Sequence, residues 1–275
     1  MTAAVDIGSG PFPESPRVIY RKNPLGQVVC QLRFPPVLRI ETELPAAFQE
    51  RIRSDYPILR QSVPADSLQL PPNVPEALVN MLRSAVPKRQ VAYDFVAPDD
   101  KWAVGLTREF LALTSTNYRR WEQFEDHLSG PVKALLDVYS PVFFSRVGLR
   151  YQDVITRSEL GLGDIPWAEL LHSHISGVLS SSELQGSVDG VTSQALVKFP
   201  KGPERVLLRY GLIERADTKE ECFLIDSDFY TEERIGTDNV IDTLRHFNQQ
   251  SGRLFRWCIT EKLHLAMDPG PIEQA

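Results

Sequence analysis

The sequence predicts an α+β protein. Two similar halves, each ordered β-α-β-β-β-α, would form one largely antiparallel sheet with helices on one face. Three observations predict this. Runs of period-two alternation come in clusters of three, at 91–96, 102–106 and 109–115, and again at 193–199, 205–213 and 222–229. Each cluster is followed by a long stretch whose apolar residues step by three and four. The run Gln31-Leu32-Arg33-Phe34 is echoed by Gly148-Leu149-Arg150-Tyr151. A four-stranded sheet alone covers little of its apolar face, so two such units most simply share one sheet and bury their helices against it.

Taken in order, residues 1–16 are rich in Gly, Ser and Pro without periodicity and are expected to be a loose tail. The first half spans 17–140, the second 141–268, and 269–275 form a second tail. Asn23-Pro24-Leu25-Gly26 signals a turn into a strand over 27–34, stopped by Pro35-Pro36. Phe48, Ile52 and Tyr56 step by four, which predicts a helix over 46–56 with Pro45 at its start and Pro57 closing it. Prolines at 64, 71, 72, 75 and 87 make 58–90 an extended connection, with one short helix over 76–84. After the first cluster of strands, Trp121, Phe124, Leu128, Val132 and Leu135 define a helix over 118–139, bent or broken at Gly130-Pro131.

The second half opens on a strand over 143–155. Alternation places Phe144, Arg146, Gly148, Arg150 and Gln152 on one face, and Val147, Leu149, Tyr151 and Asp153 on the other. A helix follows from Pro166-Trp167 to about Leu179. The last element is a helix over 240–267, kinked at Ser251-Gly252.

Composition is that of an ordinary globular chain: 275 residues, 42% hydrophobic and 24% charged, with net charge −6. Residues 1–150 carry 18 Lys+Arg against 16 Asp+Glu, and residues 151–275 carry 12 against 20. Neither half has the basic excess that phosphate-backbone binding usually needs, so nucleic acid is disfavoured. Cys30, Cys222 and Cys258 are scattered and odd in number, which points away from a disulfide framework or structural zinc and toward a reducing compartment. No uncharged run reaches the ~20 apolar residues of a spanning helix, so a cytoplasmic location without membrane contact is expected.

Arg146 and Arg150 share a strand face and Arg33 occupies the echo position of Arg150, so three guanidinium groups could converge on a carboxylate or phosphate. The candidate ligand-binding set is Arg33, Arg146 and Arg150, with Tyr151 and Asp153 from the same stretch. Alternatively these arginines pair with neighbouring acids on a solvated face. Asp226 and Asp228 project from one side of a strand and would bind a divalent ion if Asp153 or Glu214 supplied a third oxygen ligand. His172 and His174, two apart on an expected helix, would lie on different faces and would not chelate together. G-x-S-x-G, H-E-x-x-H, P-loop and G-x-G-x-x-G patterns are absent, so no catalytic residue and no cofactor is assigned.

The β-α-β-β-β-α order, taken twice, is similar to the TATA-binding-protein-like arrangement, with a helix-grip fold as the alternative; neither carries function. The chain also resembles the bacterial family called "sporadically distributed protein", for which no reaction is assigned. The matching pieces are Asn23-Pro24-Leu25, Arg33-Phe34, Phe110-Leu111-Ala112-Leu113, Trp121-Glu122, Arg146-Val147-Gly148-Leu149-Arg150-Tyr151, Phe223-Leu224-Ile225-Asp226-Ser227-Asp228 and Ile259-Thr260-Glu261-Lys262-Leu263. The family motif continues from the tyrosine with Ile-Asn where this chain has Gln152-Asp153, a change of charge and donor capacity. The resulting expectation is a non-enzymatic binding protein that engages a protein partner, or itself, through the sheet face or the groove between halves. The alternatives are a binder of a small anionic ligand or nucleotide, a metal-dependent enzyme, and a nucleic-acid binder.

Overall fold

The computed structural model describes residues 10–62, 92–184 and 186–271. Apolar residues at every second position draw the chain into strands β1 (Ile19–Tyr20), β2 (Leu25–Arg33), β3 (Ile58–Ser62), β4 (Ala92–Val96), β5 (Trp102–Leu106), β6 (Phe110–Ser115), β7 (Arg146–Ile155), β8 (Thr192–Lys198), β9 (Arg205–Glu214), β10 (Glu221–Thr231) and β11 (Pro269–Gly270). The helices are α1 (Arg39–Thr42), α2 (Ala46–Ile52), α3 (Trp121–Tyr139), α4 (Trp167–Leu170), α5 (Ser173–Ser176), α6 (Val240–Cys258) and α7 (Glu261–Ala266).

Nine strands form one antiparallel sheet in the order β3-β4-β5-β6-β2-β7-β10-β9-β8. The α+β class with a large antiparallel sheet is as the sequence predicts. β2 and β7 meet at its centre, with Leu32 opposite Val147, Cys30 opposite Leu149 and Val28 opposite Tyr151. These six side chains are buried. They face α3 and α6, which contribute Trp121, Phe124, Leu128 and Leu135, and Leu244, Phe247 and Leu254, to the same core. Each such aliphatic or aromatic side chain stabilises the fold by about 1.5–3 kcal/mol through burial. The intervening residues of β2 and β7, Val29, Gln31, Arg33, Arg146, Gly148 and Arg150, therefore stand on the opposite face, which is helix-free among the described residues.

Several elements depart from expectation. The connection after Pro57 begins with an edge strand, β3, paired to β4. The short helix expected over 76–84 lies outside the described residues. α3 runs unbroken through Pro131, which is itself buried. α6 likewise continues through Ser251-Gly252, and its break comes later, at Ile259. One local pairing explains this and the fragmentation of the expected 166–179 helix: Leu171 and Ile259 form an isolated β-bridge. Both adopt extended backbone, at φ −116°, ψ 142° and φ −108°, ψ 147°. A residue committed to a bridge cannot also continue a helix, so α4 stops before α5 and α6 stops before α7.

The segments expected to be tails are structured where described. Phe12 is 6% exposed, its ring 5.5 Å from that of Trp257 on α6. Gly10 lies so close that a Cβ there would fall 1.6 Å from Gln250 Oε1. Ile19–Tyr20 pair with Pro269–Gly270. A non-periodic segment can thus be fixed by isolated anchors that composition does not reveal. Phe12→Ala is expected to lower stability by up to ~3 kcal/mol and to expose the 10–20 segment to limited proteolysis before global unfolding; unchanged cleavage would remove the anchoring role.

Candidate functional site

The sheet divides the expected ligand set in two. On the helix-free face, Arg150 donates to Asp226 through Nε and Nη2, both at 2.6 Å, and Arg146 Nη2 donates to Asp228 at 2.9 and 3.1 Å. Arg209 on β9 adds a longer contact to Asp226, 3.4 Å. Asp226 is 1% exposed despite standing on this face, because the two guanidinium groups cover it. Gly148 makes this packing possible: a Cβ there would sit 2.3 Å from Arg146 Nη1, so only glycine lets that side chain lie flat on the sheet. Arg146 also lies 4.8 Å over the Tyr230 ring. Arg33 differs, since its Nε donates only to the neutral Gln31 Oε1 at 3.2 Å.

These bonds assign Asp226 and Asp228 to arginine partners. Asp153 projects from the other face of the sheet and Glu214 ends β9, so neither completes a three-ligand set with them. Among the described residues no group of three or more His, Cys, Asp and Glu could hold a metal ion. His172 and His174 come together at a helix junction, with ring centroids 5.6 Å apart, and His174 stacks on Trp257 at 3.8 Å. Both were expected on one helix; the bridge at Leu171 removes that helix.

Tyr151 and Asp153 face the helices and open into a cavity of about 730 Å³. Its floor is β7. Its walls are the start of α3, the middle of α6 and the strand-like segment 15–25. Tyr151 and Tyr118 stand edge to face, 5.7 Å apart, and both hydroxyls donate to Asn248 Oδ1 at 3.0 Å. Asn23 fixes the wall locally, donating to the Tyr118 carbonyl and accepting from Leu25 N–H, each at 3.1 Å. Tyr20 on the cavity wall shares a 2.7 Å hydrogen bond with His264.

Asp153 is the unusual group. Its side chain is 6% exposed and no described residue hydrogen-bonds its carboxyl. Burial, reinforced by the charge of Asp226 across the sheet, pushes its pKa up to about 8. Near neutral pH it is a protonated hydrogen-bond donor. Burial also raises the Tyr118 and Tyr151 hydroxyls, so the floor is neutral. His246, at the cavity wall, has a buried Nδ1 without a partner, and burial lowers its pKa.

The rim is cationic. Arg17 is held by Glu122 at 2.7 and 2.9 Å, and Arg245 by Glu125 and Asp242. Arg119 and Arg120 are exposed and form no ion pair with a described residue. Arg253 is 14% exposed and reaches only Glu14, at 3.5 Å. The arrangement suits recognition of a molecule that accepts hydrogen bonds from the floor and presents negative charge at the mouth. Sequence reasoning included Tyr151 and Asp153 but missed Tyr118, Asn248, Arg119, Arg120 and Arg253. Arg119 and Arg120 carry no local pattern that marks them, and nothing local links Asn248 to tyrosines about a hundred residues away.

Comparison with protein-family models and with curated proteins finds no match for this chain. Among the described residues no helix is long and apolar enough to cross a membrane.

Proposed function

We propose that the protein is a binding protein for a small anionic organic ligand, held in the cavity between β7, α3 and α6. The observation that carries this is the Asp153 carboxyl, 6% exposed and without a hydrogen-bond partner among the described residues, at the floor of a 730 Å³ space whose mouth carries Arg119 and Arg120, which form no ion pair with a described residue. A ligand that accepts its proton would supply the hydrogen-bond partner that no described residue gives this carboxyl. The cavity lies in the 300–1,000 Å³ range typical of small-molecule sites. A protein partner, the first expectation, rested on the lack of a catalytic constellation. The helix-free face near the seam is instead knitted by its own Arg–Asp bonds, which favours the cavity as the site.

We read the sheet, further, as a duplicated unit of the TATA-binding-protein-like kind. From the seam outward the order is β6-β5-β4 on one side and β10-β9-β8 on the other. Gln31 pairs with Gly148, and Arg33 opposite Arg146 is answered by Arg150 opposite Val29. This is the register a two-fold relation would give for the Arg33 and Arg150 echo, with α3 and α6 as counterparts on either side of the cavity.

Thermal unfolding with a panel of aromatic and aliphatic carboxylates and mononucleotides tests the binding reading. A ligand at 100 times its Kd stabilises by ~2.7 kcal/mol. For an anion the shift should be present at pH 6.5 and shrink above pH 8, as Asp153 loses its proton and repels the ligand. Asp153→Asn should keep the shift at both pH values. A panel without any shift, or one with the same pH profile in parent and variant, would overturn the proposal.

A further inference from the structure

The cations of the helix-free face are arranged in a row. Lys198 pairs with Arg205, Arg205 with Tyr230, Tyr230 with Gly148, and Gly148 with Gln31, so one line crosses β8, β9, β10, β7 and β2. Arg146 lies over Gly148 and donates to Gln31 Oε1 at 3.2 Å, and Arg33 donates to the same oxygen at 3.2 Å. Four basic groups therefore follow a line of four strand spacings, about 19 Å at ~4.8 Å each. Arg146 has Asp228, but Lys198, Arg205 and Arg33 form no ion pair with a described residue. Arg33 is further destabilised as a cation by burial and by Arg146 beside it; the acids near it are Glu109, Glu232 and Asp228, of which Glu109 pairs with Arg108 and Asp228 with Arg146.

We propose that this row holds single-stranded nucleic acid by its phosphates. A chain of net charge −6 that aligns three cations without an ion pair among the described residues concentrates positive charge locally, and a 19 Å line is too long for one oxyanion. A string of phosphates matches it. Phe110, directly opposite Arg33 on β6 and half-buried on the same face, supplies a ring on which a base can stack. Tyr230 supports Arg146 from below and completes the surface. The charge count of the whole chain disfavours nucleic acid because it averages this row with acidic surface elsewhere.

Fluorescence anisotropy with a 5′-labelled dT12 oligonucleotide tests this at 25 and 150 mM salt. Binding should weaken with salt at a log–log slope of about −2, from ~3 phosphate contacts at −0.7 each. Lys198→Glu with Arg205→Glu should weaken dT12 by at least ~10-fold with little change in the thermal unfolding midpoint, since neither forms an ion pair with a described residue and Arg205 makes only a 3.4 Å hydrogen bond to the Pro203 carbonyl. Phe110→Leu should weaken dT12 while leaving inorganic polyphosphate binding unchanged. Absence of dT12 binding at 25 mM salt, indifference to the double reversal, or equal effects of Phe110→Leu on both polyanions would each overturn the proposal. Tighter binding of a 12-base-pair duplex would overturn it as well.

Discussion

Arg150→Met is expected to destabilise the protein by ~3–5 kcal/mol, the range for removing one partner of a buried ion pair. The variant preserves most of the side-chain volume, so the loss is electrostatic. Arg150 supplies two 2.6 Å hydrogen bonds to a carboxylate that is 1% exposed, and Arg209 at 3.4 Å cannot replace them. Asp226 would be left buried with half its partners. Adding Asp226→Leu should recover a good part of the loss, because two apolar groups in place of a buried pair are often nearly neutral. A double-mutant cycle in urea should give an interaction energy of at least ~2 kcal/mol. If Arg150→Met alone costs under ~1 kcal/mol, the pair behaves as an exposed surface bridge and the description of this face is wrong.

Asp153→Asn is expected to stabilise the protein strongly at pH 9 and much less at pH 5. The folded pKa of about 8 lies far above the ordinary value of 3.8, so the native state holds a proton that the unfolded chain releases. Protonation therefore favours the fold fully below the ordinary value, and that contribution is lost as pH rises from about 4 through 8. With four units as the upper limit at 1.36 kcal/mol each, the parent loses at most ~5 kcal/mol across that window. Asparagine keeps the shape and carries no titrating proton. Thermal or urea unfolding of both proteins from pH 5 to pH 9 should give curves that approach each other toward the acid end and separate toward the alkaline end. Parallel curves would show that Asp153 is solvated in the native state.

The strand pattern and the helical stripes were legible because period two and period 3.6 are written in local sequence. Alternation also told which residues of β7 share a face: it separated Arg146 and Arg150 from Tyr151 and Asp153. The candidate ligand set nevertheless joined them, since nearness in sequence suggested nearness in space where a sheet in fact intervenes. The cavity was beyond reach for a different reason. Its walls come from segments near residues 20, 120, 150 and 250, and a void is defined by what fails to fill it. The Leu171–Ile259 bridge was equally hidden, because two residues 88 apart end two helices at once. Phe12 shows the same limit at small scale, as one aromatic in a Gly- and Pro-rich stretch anchors it to α6.

The central claim is that the cavity over Asp153 is a ligand site, and blocking its mouth tests that most directly. Gly252 lies on α6 at the cavity, and a Cβ added there meets no atom within 4 Å, so Gly252→Trp can obstruct the opening without disturbing the core. Native mass spectrometry should be run on parent and variant after incubation with a soluble metabolite extract, with thermal unfolding confirming that both are folded. The parent should carry one small molecule per chain and Gly252→Trp none. Equal loading of the two proteins, or a parent that stays bare, would contradict the account.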